Sequence, residues 1–190
     1  MSDETLSNLL SEDRRFPPPG VLAAATNVTA AACTEASADG PAFWAAQAER
    51  PDRAAPWTEG TGLEPAAFAR WFVGGRLNAA YNRVDRPVPA GHGDRAAFHW
   101  EGEPGDTRTL TYADLKSEVS RAANALPALG VQAGDRIAVY LPVIPGTVVA
   151  MLACARIGAP HTVVFGGFSY AQALRHLHSV GAPLRAAASS

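Results

Sequence analysis

Residues 135–169 decide the fold and read DRIAVYLPVIPGTVVAMLACARIGAPHTVVFGGFS. A β-branched run over 137–141 is followed by a proline-bounded turn, and an apolar stretch over 147–157 then ends at a glycine. A second β-branched run over 162–165 leads into two consecutive glycines. Strand, helix, strand and glycine turn is the order of a parallel βαβ unit. The pattern therefore predicts two parallel strands joined by a helix.

The predicted helix of this unit has almost no polar face. A helix on the surface of a globular domain carries its apolar side chains along one stripe. Here they run most of the way round the helix, so we expect it to be buried inside a large protein. The residues concerned are Val148, Val149, Met151, Leu152, Cys154 and Ile157.

A hairpin and an amphipathic helix are predicted upstream of this unit. Residues 96–101 (AAFHWE) and 107–110 are short strand patterns on either side of a glycine- and proline-rich turn. His99 points away from its aromatic neighbours by strand alternation, so we expect an exposed strand residue, not a base. The hydroxyl of Thr111 three residues before Asp114 is typical of a helix start. The apolar stripe that follows has spacings of four, three, four and three, at Leu115, Val119, Ala122, Leu126 and Leu129.

The first 90 residues have a different character. Residues 7–19 (SNLLSEDRRFPPP) predict an extended arm, the alanine-rich stretch 21–38 a short helix, and residues 41–49 another helix. Residues 66–90 are dense in aromatic side chains and amides. This segment is too polar for a core strand and too aromatic for a free linker. We interpret it as a covering segment held on a larger body, and a ligand-touching role is the alternative.

Composition limits the class of protein. The chain has 190 residues, 47% of them hydrophobic and 18% charged, with a formal net charge of -2. Such a charge gives no electrostatic reason to expect a nucleic-acid or anionic-membrane partner. The two cysteines stand in no metal-ligand spacing, the first residues are acidic and polar, and no apolar run approaches the roughly 20 residues of a membrane span. We therefore expect a cytoplasmic protein.

Few motifs in the sequence carry chemistry. It contains no GxGxxG, no GxxxxGK[ST] and no GxSxG pattern, which argues against a nicotinamide-binding module and a serine hydrolase. The best candidate is Gly166-Gly167, which follows a predicted parallel strand. Ligands of open α/β sheets bind at the carboxyl ends of strands, and glycine lets backbone approach a ligand closely. Ligand contact and a plain turn are both open on this pattern alone.

The end of the chain continues the alternation only in part. Residues 170–179 predict another helix, and residues 183–190 (PLRAAASS) stand where a third strand is due but contain no β-branched residue. The expected fold class is α/β. An N-terminal helical arm and a β-hairpin are followed by the start, βαβαβ, of a mostly parallel sheet that makes up an incomplete domain. We expect residues 183–190 to be a truncated or frame-altered end.

Several stretches together resemble one family. The similarity is to the N-terminal part of the AMP-forming acetyl-coenzyme A synthetases, the acetate–CoA ligase branch of the acyl-adenylate-forming enzymes. It implies that residues 1–90 form the arm and covering segment of these enzymes, and that residues 91–190 begin their large AMP-binding domain. The stretches are residues 9–19, 71–86, 97–115, 118–126 and 135–169.

The resemblance implies a two-step reaction. Acetate, or propionate as the alternative, attacks the α-phosphate of ATP held with Mg²⁺, and CoA then displaces AMP from acetyl-AMP. The family has a turn near the path of CoA, and the residues that match this turn are Phe165, Gly166 and Gly167. The phosphate-binding loop and the catalytic lysine have no counterpart here, and Lys116 does not match that lysine. The implied partners are small molecules only, and no feature of the sequence predicts an oligomeric state.

Two functional hypotheses follow. The first is an acetate–CoA ligase by descent, represented by its N-terminal piece and inactive on its own, because the groups that would stabilise the transition state are missing. The second is a truncated, non-enzymatic protein that acts as a decoy or association partner of a full-length synthetase. The βαβ unit would then expose an apolar patch larger than monomers usually carry.

Overall fold

The computed structural model describes residues 15–62, 69–169, 171–172 and 174–175. The chain forms two compact units, Met1–Arg50 and Pro51–Ser190. Across the described residues, no helix combines the length and the apolar character that crossing a membrane requires.

The described part of the first unit contains three short helices. Helices α1 (Gly20–Ala25) and α2 (Ala30–Ala38) occupy the alanine-rich stretch for which the sequence predicts one short helix. The predicted helix over 41–49 is confirmed as α3 (Gly40–Ala48), where an Asp39 carboxylate oxygen accepts the Ala42 N–H at 2.9 Å. None of these helices buries a residue completely.

The predicted extended arm is only partly covered by the structure. Residues 1–14 lie outside the described residues, and residues 15–19 are exposed and without regular structure.

The second unit begins with a small antiparallel sheet and two helical turns. Strands β1 (Glu59–Gly62) and β2 (Arg70–Val73) pair with each other. Two π-helical turns follow, at Tyr81–Asp85 and Val88–His92. The second contains Gly91 with φ of 83°, a conformation that glycine adopts without strain.

The predicted hairpin is confirmed. Strands β3 (Ala96–Glu101) and β4 (Thr107–Thr111) pair in antiparallel fashion. His99 is exposed, as expected, and its Nδ1 lies 2.8 Å from the hydroxyl of Thr109 on the opposite strand. The hairpin also contacts the turn between residues 141 and 145. The indole N–H of Trp100 donates to the Val143 carbonyl there at 2.8 Å.

Helix α4 (Tyr112–Ala128) starts with the predicted capping box. The Asp114 N–H donates to the Thr111 hydroxyl oxygen, and the Thr111 N–H donates to the Asp114 carboxylate, both at 3.1 Å. Hydrogen bonds from the side chain and the backbone of Thr111 hold the pKa of Asp114 below its ordinary value of 3.8. The carboxylate is thus the form that fits this helix start.

The predicted apolar stripe of α4 is wrong at its C-terminal end. Leu115 and Val119 are buried as expected, but Ala123 is the next fully packed position, and Leu129 is 60% exposed. The helix ends at Ala128, directly after Pro127, so Leu129 lies outside it and leaves the helical stripe.

The predicted βαβ unit is present. Strands β5 (Ile137–Leu141) and β6 (His161–Phe165) are parallel neighbours, in register from Ile137 opposite His161 to Leu141 opposite Phe165. Helix α5 (Pro145–Ile157) connects them and ends at Gly158, which has φ of 74°. This left-handed glycine is a common helix C-cap, and the sequence placed it correctly.

Helix α5 is buried on one side only within the described chain. Val149, Ala153 and Cys154 are packed in the interior, whereas Val148 is 37% exposed. The prediction that all faces of this helix are buried is therefore correct for one face only.

The second half of the expected βαβαβ order lies mostly outside the described residues. Residues 171–172 and 174–175 are helical, within the predicted helix over 170–179. The remaining residues of that helix and the expected strand over 183–190 are not among those described, so the full βαβαβ order stays a prediction.

The core of the second unit lies between α4 and α5. Val84 from the first π-helical turn joins Leu115 and Val119 of α4 and Val149 of α5 in one buried cluster. Phe98 of β3 packs against it. Burial of an aliphatic side chain the size of Val84 contributes about 1.5–3 kcal/mol to the free energy of unfolding. The first π-helical turn is therefore part of the core.

Polar groups fix the same turn to the end of α5. The Arg156 guanidinium donates to the Asp85 carboxylate and, at 2.5 Å, to the Ser120 hydroxyl. The Asn78 amide donates to the carbonyls of Arg156 at 2.9 Å and Ala155 at 3.4 Å, in the last turn of α5. These contacts, called the Arg156 clasp below, attach Asn78 and Asp85 to the end of α5, and the covering role of residues 66–90 stays a prediction.

Breaking the clasp should cost more stability than breaking a surface ion pair. The Asp85 and Arg156 side chains are only 20% and 21% exposed. We expect Asp85→Asn to lower the free energy of unfolding by about 2 kcal/mol, because the charged donor loses its charged acceptor. Urea denaturation of the 190-residue chain measures the difference.

The control is Asp52→Asn, which breaks an ion pair with Arg86 in which the Asp52 and Arg86 side chains are 52% and 44% exposed. Its expected cost is below about 1 kcal/mol, since water screens an exposed pair. Equal losses in the two variants would contradict a special role for the clasp.

Candidate functional site

The glycine turn singled out by sequence lies at the carboxyl end of the parallel strands. Strand β6 ends at Phe165, and the Phe168 N–H donates to the Phe165 carbonyl at 3.0 Å to close a tight turn. Phe165, Gly166 and Gly167 are thus one local structure at the edge where ligands of α/β sheets bind.

Close packing, and not a left-handed backbone, accounts for the first of the two glycines. Neither has a positive φ. A Cβ atom at Gly166 would lie 3.2 Å from the Leu141 carbonyl oxygen and 3.2 Å from the Pro142 Cα. A Cβ atom at Gly167 would lie 2.6 Å from the Phe165 ring. Packing against backbone therefore explains Gly166, whereas the contact at Gly167 is with the ring of Phe165, which is exposed and can rotate away.

The turn carries exposed aromatic side chains. The rings of Phe165 and Phe168 meet edge to face with their centroids 5.7 Å apart. Phe165 is 65% exposed and Phe168 is 41% exposed. The Tyr140 hydroxyl, from the neighbouring strand, donates to the Phe168 carbonyl at 2.5 Å and ties the turn to β5.

Sequence reasoning found three residues of this arrangement and missed two. Tyr140 and Phe168 belong to the same surface, and an aromatic residue near the end of each strand was the available signal. The surface offers apolar rings and backbone amides but no ionisable acid or base besides the phenol. It can hold a planar or apolar ligand group, and its residues do not provide general acid–base catalysis.

Other reactive groups do not form a site among the described residues. Cys154 is 1% exposed, and burial raises the pKa of its thiol, which disfavours the nucleophilic thiolate. Over the same part of the chain, no group of three His, Cys, Asp or Glu side chains could hold a metal ion.

Comparison with known proteins gives two family matches. The profile described as AMP-binding enzyme matches residues 86–187, and the profile described as acetyl-coenzyme A synthetase N-terminus matches residues 29–83. The resemblance found in the sequence is thereby confirmed.

Curated relatives carry the name acetyl-coenzyme A synthetase. The protein from Streptomyces avermitilis is 64% identical over 169 residues, and that from Streptomyces coelicolor is 62% identical over 169 residues. Both alignments cover 89% of this chain and 26% of the relative. A Mycobacterium tuberculosis H37Rv protein is 60% identical over 157 residues, covering 82% of this chain and 24% of the relative. The chain thus spans about a quarter of the length of these relatives.

Replacing the first glycine of the turn tests its packing role. Gly166→Ala should lower the free energy of unfolding by about 1–3 kcal/mol, because the new methyl group meets backbone atoms of Leu141 and Pro142 that cannot rotate away. Gly60→Ala is the control, since a Cβ there has nothing within 4 Å. Thermal or urea unfolding compares the two, and an unchanged stability of Gly166→Ala would show that the turn is not packed as described.

Proposed function

Because the chain belongs to the AMP-binding enzyme family, we propose that it is the N-terminal part of an acetate–CoA ligase. The complete reaction would convert acetate, ATP and CoA into acetyl-CoA, AMP and diphosphate through acetyl-AMP. Propionate is the alternative acid. The observation that carries the proposal is that the two family matches follow each other along the chain in the order expected of such an enzyme.

The proposed division of the chain follows from the same observation. Residues 1–90 would be the arm and covering segment, and residues 91–190 the first part of the adenylation domain. The Arg156 clasp supports a covering role for the segment around Asn78 and Asp85, since it attaches that segment to the end of α5.

We propose that Phe165, Gly166 and Gly167 contact CoA. Two features of the turn support this. Its exposed rings can pack against an adenine ring or a pantetheine chain. The absence of side chains at both glycines leaves their backbone N–H groups accessible to a ligand.

The groups that would hold the ATP phosphates and Mg²⁺ have no counterpart among these residues. The Ser/Thr/Gly-rich loop ending in lysine that holds the phosphates in this family has no counterpart in these 190 residues, whose one lysine, Lys116, lies within α4. The described residues hold no cluster of carboxylates or imidazoles that suits a metal ion. These residues offer no ligand set for Mg²⁺, and no step of adenylation is assigned to them. We therefore propose that the 190 residues alone do not form acetyl-AMP.

The test is an assay of the polypeptide that carries this sequence, purified from its native source. We expect AMP and acetyl-CoA to form only when acetate, ATP and CoA are all present, with propionate as a slower substrate. The 190-residue chain produced alone serves as the control and should show no acetate-dependent exchange of pyrophosphate into ATP. A native polypeptide that forms no AMP with either acid would contradict the ligase proposal.

Exposed apolar side chains favour a second candidate. Val143 is 84% exposed and Val163 is 47% exposed, in addition to Phe165. A non-enzymatic chain could use this surface to associate with a full-length synthetase. The same assay separates the candidates, because an association partner would be inactive alone and would change the rate of an added acetyl-coenzyme A synthetase.

A further inference from the structure

A second concave surface lies at the two π-helical turns and shares no residue with the glycine turn. Its volume is about 370 Å³. This is at the low end of the roughly 300–1,000 Å³ of small-molecule sites, and the surface is half open, so a bound ligand would stay partly in solvent. Its polar side chains are Asn82, Arg86, His92, Arg95 and Tyr112, and this set is called the arginine pocket below.

The arginine pocket is lined by positive charge. Two arginines and a histidine are among its lining residues, and no aspartate or glutamate is. Two acids adjoin lining residues in sequence: Asp85, which Arg156 holds in the clasp, and the exposed Asp94, which directly precedes Arg95. Asp52 lies 3.6 Å from the Nε atom of Arg86 and partly offsets that charge.

Arg95 is the lining arginine whose charge is not offset in this way. Within residues 15–62 and 69–169, no carboxylate forms an ion pair with its guanidinium. Its side chain is exposed at the mouth of the pocket. Arg95 is therefore the group best able to bind an anion there.

Backbone hydrogen bonds hold the pocket in shape. The His92 N–H donates to the Pro87 carbonyl at 2.9 Å, and the Arg95 N–H donates to the His92 carbonyl at 3.2 Å. The Arg95 carbonyl in turn accepts the Tyr112 N–H, from the first residue of α4, at 3.0 Å. A site that is already ordered loses less conformational entropy when a ligand binds.

We propose that the arginine pocket binds a phosphate-bearing small molecule, with Arg95 as its principal contact. A guanidinium presents two parallel N–H groups that match two oxygens of a phosphate, and such charge-assisted pairs are among the stronger hydrogen bonds. The imidazole of His92 and the phenol of Tyr112 can supply further donors, whereas the Asn82 amide already donates to the carbonyls of Asp52 and Asn78. The inference rests on the pocket alone and does not depend on the proposed ligase function.

Titration calorimetry of the 190-residue chain with inorganic pyrophosphate, and separately with AMP, tests the proposal. Saturable binding of at least one of them is expected. Arg95→Gln should weaken that binding by about tenfold or more, because a charge-assisted hydrogen bond is lost. The more tightly bound probe then tells whether an inorganic diphosphate or a nucleotide is the source of the phosphate.

The control is Arg83→Gln, which removes the same charge from an exposed position on the first π-helical turn, outside the pocket lining. Its expected effect is below about twofold, since salt screens a charge at that distance. Arg95→Lys keeps the charge without the paired donors and should bind with intermediate affinity. This variant separates loss of the ligand contact from misfolding of the glutamine variant. Absence of saturable binding, or equal weakening by Arg83→Gln and Arg95→Gln, would overturn the proposal.

Discussion

The ion pair between Arg156 and Asp85 is the contact on which the rest of the second unit depends. It joins the last turn of α5 to the first π-helical turn, and the same guanidinium reaches Ser120 of α4. Val84, directly beside Asp85, is completely buried between those helices. Asp85 forms the ion pair and Val84 packs in the core, so the ion pair and the apolar contacts both hold the first π-helical turn in place. The end of α5 that the clasp fixes leads through Gly158 into β6, and so toward the candidate site.

Local chemistry made part of this fold predictable. The capping box at Thr111 and the left-handed glycine at Gly158 depend on residues close together in sequence, and the structure has both. The clasp could not be predicted in this way, because no periodicity links Asp85 to Arg156. Val84 escaped notice for a similar reason. It stands among polar residues, and only its tertiary contacts show that it belongs to the core.

The sequence predicted that the glycine turn lies at the end of a parallel strand, but it did not predict the packing around Gly166. A glycine pair after a parallel strand suggested space for a ligand, whereas the structure shows that Gly166 also makes room for backbone atoms of β5. An aromatic residue near the end of β5 was a signal for Tyr140, but its bond to the Phe168 carbonyl could not be predicted, since that bond depends on how β5 and β6 align. Packing and ligand contact are compatible uses of one turn. Together they place exposed aromatic rings beside accessible backbone at the sheet edge.

The most direct test of this account is hydrogen exchange of the backbone amides over residues 165–169, measured with and without saturating CoA on the polypeptide purified from its native source. The account predicts slower exchange at Gly166 and Gly167 when CoA is present, because a bound ligand would cover their N–H groups. Unchanged exchange over these residues, whether CoA binds elsewhere or not at all, would contradict the assignment of the glycine turn to CoA.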